Sequence, residues 1–481
     1  MSEQNEAAVT AGSASQSRGG TPSGGGPTLS TGGKSSFGGT FVPGGMASAG
    51  FPTAGVATMG GAPNPDCSLS VGDCRLPSEV RCADTHSVCA GELAQQAEFD
   101  ASFVVVNDLA VSTSGRLALA GRFRGSLDFG GDSQPLVSAE TGTTGTDAFV
   151  VSIDASGAAQ WSYAYSRNAS DDITGVGFAP NGDLVLQGQD ATGVFVERLD
   201  AKGNVLWSNW SASTLIETGR VGVDNDGRIL LGGNYSGSLN LAGAQSTRET
   251  RSGYLIKLER DGDLIWAADT IPAEWTSASA ADLAVDDEDN IVVVGAGVRN
   301  DSTPGAFMQK ITSNADAFVA TLLPAELSLR SVAVDRNMRV VAAGTFQGKL
   351  SYGGQIHELS AGSAADVWVA QYTRQGDLVW QKTFASGTNG ASVDSVAVDP
   401  FGNVVVVGNG LQLDTSLPKP RREQLYALRL RPDGSYVWSQ SFDPFSQHSA
   451  LGIDNRSNIW LAGSANVDPP GMYAFLFQIF P

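Results

Sequence analysis

The cysteines have the clearest chemical potential in this chain, because all four lie within one short segment. They are Cys67, Cys74, Cys82 and Cys89. An even number of cysteines in a segment with few apolar residues predicts two disulfides, for which three pairings are open. A zinc site formed by these thiolates and His86 is the competing interpretation, but no Cys-x-x-Cys pair supplies the usual spacing. We therefore expect disulfides and an oxidising compartment.

The N-terminus lacks the usual mark of export. Residues 1–18 contain no apolar core of a signal peptide, and no cysteine precedes Cys67 to carry a lipid. Either the true start lies upstream, export is unconventional, or the thiols are free. Because of the disulfides, we expect an extracytoplasmic location: the cell surface, the periplasm or the medium.

No catalytic residue can be nominated from the sequence. His86, His357 and His448 are far apart, and none has a neighbouring pattern of a nucleophile or metal ligand. The acidic turns 224–227 and 286–290 offer the oxygen ligands that calcium prefers, but they lack the distal glutamate of a full calcium loop. We interpret them as turns whose Asp and Asn side chains bond their own backbone. We expect no cofactor, with calcium as the open alternative.

Charge and hydropathy exclude two classes of partner. The chain has 30 Lys plus Arg against 50 Asp plus Glu, a formal net charge of −20. This charge repels the phosphates of nucleic acid and anionic lipid. The longest apolar run near the end, 472–480, has the length of a strand rather than of a membrane helix. We expect no nucleic-acid partner, no transmembrane segment and a monomer.

Two ladders, each a series of residues repeated along the chain, predict the fold that holds these groups. A tryptophan follows a glycine by four residues at Trp161, Trp207, Trp266, Trp380 and Trp438. Short apolar runs end at the ladder glycines Gly121, Gly188, Gly233, Gly295, Gly344, Gly408 and Gly463. The ladders predict seven copies of one unit. A large apolar side chain at a fixed register is typical of packing between units, so we assign the tryptophans a structural role.

Each unit has the pattern of a four-stranded antiparallel meander. Apolar residues alternate, then run continuously to the ladder glycine, then alternate again, with turns of Asp, Asn, Ser and Gly between them. Seven such units without helical periodicity predict an all-β fold, a seven-bladed β-propeller. The fourth unit departs from the pattern, with Ala315 at the glycine turn and Val319 at the tryptophan position. We expect it to be the least regular blade.

The two ends of the repeat array predict how it closes. The seventh unit stops after its third strand, while residues 91–99 have the spacing of an outer strand. We predict that this N-terminal strand completes the last blade, since an open edge invites aggregation. The remaining organisation is a disordered Gly/Ser/Thr/Pro-rich tether at 1–66, a cysteine segment at 67–90 and the propeller at 91–481.

Blades one, three and five share an insert after the ladder glycine. Its large side chains are Phe123, Phe129, Tyr235, Leu241, Phe346 and Tyr352. Loops that join second to third strands leave the same face of the disc, so the inserts are our candidate binding face for a protein or carbohydrate ligand. The alternative is that they cover the apolar ends of their own blades.

A third strand at 147–150 leads through Gly157 to Trp161, and the preceding segment reads Gly121-x-Phe123-x-Gly125. In these features the chain resembles the bacterial β-propeller repeat proteins abundant in myxobacteria and related groups, over about residues 91–481. The resemblance implies an exported or cell-surface protein, often with a lipid-anchored N-terminus and a low-complexity spacer. The spacer is present, and the lipoprotein signal is absent.

The Gly-x-x-x-Trp turns also resemble, more weakly, the tryptophan-docking repeats of pyrroloquinoline-quinone dehydrogenases. Those enzymes use adjacent cysteines against the quinone and a calcium ion, whereas every cysteine here precedes the ring. We therefore expect an exported, non-enzymatic β-propeller that serves as a binding, adhesion or scaffold module. The alternative is an enzyme, quinoprotein-like or a hydrolase, with an active site at the channel mouth.

Overall fold

The computed structural model describes residues 80–83, 86–89, 93–139, 145–167, 170–212, 216–269, 275–360, 363–386, 390–410, 424–442, 449–467 and 471–481. Every regular element in these ranges is a β-strand. Among the same residues there is no helix with the length and apolarity needed to span a membrane. The predicted tether at 1–66 lies outside the described residues.

The strands form a short N-terminal hairpin followed by antiparallel meanders, numbered in chain order. The hairpin and the strand after it are β1 (Val80–Ala83), β2 (His86–Cys89) and β3 (Leu93–Ala101). Meander one contains β4 (Phe103–Val111), β5 (Leu117–Arg124), β8 (Asp147–Ile153) and β9 (Ala159–Tyr165), with the insert hairpin β6 (Ser126–Leu127) and β7 (Leu136–Val137). Meander two contains β10 (Asp172–Phe178), β11 (Leu184–Asp190), β12 (Gly193–Leu199) and β13 (Val205–Ala212). Meander three contains β14 (Ile216–Val223), β15 (Ile229–Leu241), β16 (Ala244–Leu258) and β17 (Leu264–Asp269).

The second half of the chain continues in the same way. Meander four contains β18 (Trp275–Val285), β19 (Ile291–Arg299), β20 (Pro304–Ile311) and β21 (Ala317–Leu323). Meander five contains β22 (Leu327–Val334), β23 (Val340–Phe346), β26 (Asp366–Tyr372) and β27 (Leu378–Phe384), with the insert hairpin β24 (Lys349–Tyr352) and β25 (Gln355–Glu358). Meander six contains β28 (Ser395–Val398), β29 (Val404–Asn409), β30 (Leu425–Leu430) and β31 (Tyr436–Phe442). Meander seven contains β32 (Ser449–Ile453), β33 (Ile459–Val467) and β34 (Gly471–Ile479).

Each meander is a four-stranded antiparallel sheet in which successive strands pair. Meanders three and four are joined into one larger sheet by a single parallel pair, Ser252 with Ala278. The prediction of an all-β, β-propeller-like fold built from four-stranded antiparallel sheets is therefore confirmed. Meander four contains four regular strands despite its departure from the repeat.

The strand β3 is the fourth strand of meander seven. It pairs antiparallel with β34, and Leu93 lies opposite Ile479. The ring of Phe99 in β3 lies 4.9 Å from the ring of Phe129 in the insert of meander one. The strand that precedes meander one and the last strand of the chain thus share one sheet, which in turn packs on the first meander.

The hydrophobic core is divided among clusters that lie between consecutive meanders. One cluster combines Val150 of meander one with Phe195 of meander two, and the following pairs of meanders share clusters in the same way. Another cluster combines Trp460 of meander seven with Leu119 of meander one. The first strands contact one another in the same order, and β32 also contacts β4. Each sheet therefore buries both faces, which explains the continuous apolar runs of the second strands.

The ladder glycines lie in the second strands, and in meanders one to five the first strand beside them is bulged. In meander one the register shifts between Val106 and Asp108, beside Gly121. A Cβ on Gly121 would lie 1.9 Å from the carbonyl oxygen of Val105. A Cβ would lie 2.5, 2.1, 2.2 and 2.0 Å from a carbonyl oxygen in or just before the first strand at Gly188, Gly295, Gly344 and Gly408. Gly233 and Gly463 also lie within second strands. Only glycine tolerates the carbonyl that the bulge pushes towards the second strand.

The tryptophans pack on the turn of the following meander. The position that a Cβ would take on Gly203 is 2.8 Å from the ring of Trp161, whose Nε1 donates to the carbonyl of Ala201 at 3.0 Å. Trp207, Trp266 and Trp380 donate in the same way to the carbonyls of Arg260, Ser313 and Pro432. Trp438 is buried in the cluster between meanders six and seven. These side chains therefore join meanders.

The turn of meander four supports a pair of substitutions with opposite expected effects. Gly203 has a φ of 86°, and Ala315 holds the equivalent position at 73°. We expect Gly203→Ala to lower the free energy of unfolding by about 1–3 kcal/mol, because it combines a left-handed backbone with a clash against Trp161. We expect Ala315→Gly to raise it by up to about 1 kcal/mol, because relief of the left-handed conformation exceeds the added chain entropy. Urea denaturation of both variants measures this, and effects of the same sign would contradict the packing interpretation.

Candidate functional site

Polar side chains from the first strands meet in a cavity of about 230 Å³. Its lining includes Asn107, Thr174, Arg220, Asp282, Arg330 and Asp394, which belong to meanders one to six in that order. All of these residues except Asp394 lie at or beside a register shift of their first strand, and the ladder glycine Gly233 belongs to the same lining. The cavity therefore lies where the first strands converge.

The guanidinium of Arg220 lies between two carboxylates in this cavity. Its Nε is 3.3 Å from Oδ1 of Asp282, and its Nη1 is 3.8 Å from Oδ1 of Asp108. Burial raises the pKa of the Asp108 carboxyl, although Arg220 opposes this effect. Burial alone would lower the pKa of Arg220, but the two carboxylates raise it. Arg220 therefore stays charged, with 36% of its side chain exposed in the cavity.

The two carboxylates connect neighbouring meanders. Asp108 accepts the backbone N–H of Val176 at 2.9 Å. Asp282 accepts the hydroxyl of Ser331 at 2.7 Å and the N–H of Val332 at 3.0 Å. Hydrogen bonds to a charged acceptor are stronger than neutral ones. These carboxylates therefore bind the next first strand, and their oxygens are engaged.

Other side chains make the same kind of link at the remaining junctions. The linking pairs are Thr174 with the N–H of Gly219, Asn234 with the backbone of Ala280, Ser331 with the N–H of Val396, Asp394 with the hydroxyl of Ser449, and Ser464 with the N–H of Val106. The last pair joins meander seven to meander one, with an N–O distance of 2.8 Å. Hydrogen bonds therefore run around the cavity from each meander to the next.

An ion pair lies where meanders one and two meet beside the cavity. Nη1 of Arg122 is 2.9 Å from Oδ2 of Asp172, and Nδ2 of Asn107 donates to Oδ1 at 2.5 Å. Burial raises the pKa of the Asp172 carboxyl to about 6, although Arg122 and Asn107 act in the opposite direction. This carboxyl therefore titrates closer to neutral pH than an ordinary aspartate.

The large side chains of the predicted binding face lie mostly inside the protein. Phe123, Phe129, Tyr235, Leu241 and Phe346 are buried, and Tyr352 is half-buried. Several contacts hold them to their own meanders: the rings of Phe129 and Phe149 lie 5.5 Å apart, and the hydroxyl of Tyr235 donates to Asp269. The inserts cover the apolar ends of their sheets, because each turns its large side chains inward. What the insert hairpins expose instead is Val137, at 71%, and Ile356, at 62%.

The acidic turns pair their carboxylates with lysines. Nζ of Lys257 lies 3.0 Å from Oδ2 of Asp224, and Nζ of Lys310 lies 2.7 Å from Oδ2 of Asp286. The first turn residue also accepts backbone N–H groups, as Asp286 does from Asn290 at 2.9 Å. A lysine ammonium therefore stands beside the carboxylate that calcium would need. Within the described ranges no group of three His, Cys, Asp or Glu residues is arranged to hold a metal ion.

The structure describes only part of the cysteine segment. Cys82 lies in β1 opposite Ser87, and Cys89 lies in β2 opposite Val80. Cys67 and Cys74 lie outside the described residues, so the disulfides stay a prediction.

Of the histidines, His86 lies in β2, and His448 lies outside the described residues.

The third histidine, His357, lies in an insert rather than in the cavity. Its Nδ1 is 3.3 Å from the hydroxyl of Thr383, and burial lowers its pKa. Its ring also lies beside Phe346, with 6.5 Å between the centroids. These contacts place His357 among the groups that hold the insert of meander five against its own sheet.

Sequence reasoning missed the residues that line the cavity. A signal was present, because a polar residue stands directly before the alternating first strand in several units. Examples are Asp108 before Leu109, Asp282 before Leu283, and Arg220 before Val221. Alternation alone assigns such a residue to the end of a strand, and the bulge that turns it to the centre is not visible in one sequence.

No family model and no curated protein matches this chain. Solved structures do show similarity. The WD40 domain of Pan2 from Neurospora crassa has a TM-score of 0.44 at 10% identity, over 78% of this chain and 89% of that one. A protein of unknown function from Dyadobacter fermentans has a TM-score of 0.43 at 11% identity, over 82% and 100%. A fungal alcohol oxidase in complex with copper has a TM-score of 0.46 at 14% identity, over 82% and 77%.

The raised pKa of Asp172 predicts how stability depends on pH. Because its folded pKa of about 6 exceeds the ordinary value of 3.8, the folded chain binds the proton more tightly than the unfolded chain. This group therefore adds stability as the pH falls from above 6 towards 4. We expect Asp172→Asn to flatten the pH dependence of the free energy of unfolding in that range, measured by urea denaturation. The exposed Asp132→Asn is the control, and equal slopes in wild type and Asp172→Asn would contradict the assignment.

Proposed function

We propose that the chain is a closed, seven-bladed β-propeller that serves outside the cytoplasm as a non-enzymatic binding and scaffold module. The observation that carries this proposal is the run of hydrogen bonds from meander to meander around the cavity. It uses the polar side chains at the centre for assembly, including the linking pair Ser464 and Val106 between the last meander and the first.

Three further features support closure. Hydrophobic clusters are shared between every two consecutive meanders, including seven and one. The strand β3 comes from the N-terminal end of the array yet pairs with β34 at the C-terminal end. The tryptophan position of β3 is held by Gln95, and a Cβ on Gly157 of meander one would lie 3.0 Å from its side-chain oxygen. This contact repeats the tryptophan-on-glycine packing at the junction between the two ends.

The chemistry of the cavity supports a non-enzymatic role. A general base needs a lone pair within reach of its substrate. The carboxylates of Asp108 and Asp282 instead accept backbone N–H groups and a hydroxyl. A shifted pKa at such a position is also what structural ion-pair networks produce. The centre of the molecule is thus arranged for rigidity.

Binding is assigned to the side of the sheets that carries the inserts. Gly233 lines the cavity, and the insert residue Tyr235 follows it by two positions. The insert of meander three therefore begins close to the cavity. Val137 and Ile356 give this side exposed apolar groups, which suit contact with a protein or carbohydrate ligand. The segment 1–66 would act as a tether, and the resemblance to surface propeller repeats favours an exported monomer.

Closure is tested by moving one strand. We expect a chain that starts at residue 102 to aggregate and to unfold at a lower temperature than a control that starts at residue 67, because β34 loses its partner. Appending residues 93–101 after Pro481 through a short turn should restore a monomer, since Leu93 lies opposite Ile479. Light scattering and thermal unfolding measure both effects. A chain from residue 102 that is monomeric and equally stable would overturn the closure model.

Location is tested by fractionation of the native cells combined with a thiol assay. We expect the protein in an extracytoplasmic fraction, with all four cysteines unreactive towards a thiol reagent until they are reduced. A cytoplasmic protein with four reactive thiols would refute the proposed location. A variant with all four cysteines replaced by serine sets the background of the assay.

A further inference from the structure

The hydrogen-bonding capacity of the central cavity is unbalanced. Its carboxylate acceptors are occupied: Asp108 binds the N–H groups of Val176 and Leu109, and Asp394 binds the hydroxyl of Ser449 and the amide of Asn409. The hydroxyl of Thr174 accepts from Gly219 and donates to the carbonyl of Gln187. These polar groups therefore have little capacity left for a ligand.

Two arginines supply the remaining capacity. Arg220 and Arg330 line the same cavity from meanders three and five. Arg220 lies 3.3 Å from Asp282 and 3.8 Å from Asp108 but makes no hydrogen bond to either within the described residues. Arg330 is exposed in the lining and has no ion pair or hydrogen bond in the described part of the chain. A guanidinium presents five N–H donors in a planar fork.

We propose that this cavity binds a small monocarboxylate through the guanidinium of Arg330, with Arg220 as the second donor. A carboxylate is the group that matches the guanidinium fork with two parallel hydrogen bonds. The nearby carboxylates of Asp108, Asp282 and Asp394 repel a phosphate dianion more strongly than a singly charged ligand. A cavity of about 230 Å³ also exceeds the roughly 150 Å³ that holds benzene, so a molecule of that size fits.

This inference goes beyond the proposed function, which places a protein or carbohydrate ligand on the side that carries the inserts. The polar lining from six meanders favours a ligand that carries hydroxyl groups beside its carboxylate, because Ser449 and the side-chain oxygen of Asn107 can still accept a hydrogen bond. A hydroxy acid is therefore the chemical class that the lining fits best.

The test is calorimetric titration of the full chain with lactate, with its neutral isostere lactamide and with inorganic phosphate. We expect lactate to bind, and lactamide and phosphate to bind at least tenfold more weakly. Arg330→Gln should weaken lactate binding at least tenfold. Arg330→Lys should weaken it less, because lysine keeps the positive charge but lacks the planar fork of N–H donors. Arg456→Gln, at an exposed turn position, is the matched control and should change nothing.

Two results would overturn the assignment: equal lactate affinity in wild type and Arg330→Gln, or lactamide binding as tight as lactate. Circular dichroism and thermal unfolding of each variant separate loss of binding from loss of fold. The proposed function fails separately, through a cytoplasmic location or through conversion of lactate to a product visible by NMR. Binding without conversion supports both proposals, and binding with conversion supports the carboxylate site alone.

Discussion

The bulge in the first strands of meanders one to five, set against a glycine in the second strand, is the constraint on which the rest of the structure depends. At Gly121 it brings the carbonyl oxygen of Val105 to within 1.9 Å of where a Cβ would lie. The extra residue turns side chains such as Asn107 and Asp108 away from the alternating pattern and towards the centre.

The charges at the centre follow from that geometry. A buried carboxylate is costly unless hydrogen bonds and an opposite charge compensate it. Asp282 obtains both, from Ser331, Val332 and Arg220. Because Ser331 and Val332 belong to the next meander and Arg220 to the preceding one, compensation of the charge and assembly of the sheets are the same interaction. This explains why a chain with a net charge of −20 can hold several aspartates near its centre.

Two layers of contact hold neighbouring meanders together, one near the first strands and one near the fourth strands. Near the centre, side chains bond to backbone N–H groups of the next first strand. At the periphery, indoles such as Trp207 donate to a turn carbonyl of the next meander, and Arg198 donates to the same carbonyl of Arg260 at 3.0 Å. The buried apolar clusters lie between these two polar layers. Such an arrangement fixes the angle between sheets more firmly than apolar packing alone, because hydrogen bonds are directional.

The sequence by itself determined the repeat, the four-stranded antiparallel unit and the pairing of an N-terminal strand with the end of the chain. These features depend on local periodicity and on spacing, which a single chain displays. The tertiary structure alone decided that Phe123 and Tyr235 are buried, that lysines neutralise the acidic turns, and that Arg220 and Arg330 share a cavity. Those outcomes depend on which way a side chain points and on what a distant strand places beside it. The spacing of residues along the chain shows neither, because one bulged residue is enough to turn a side chain from a sheet face into the cavity.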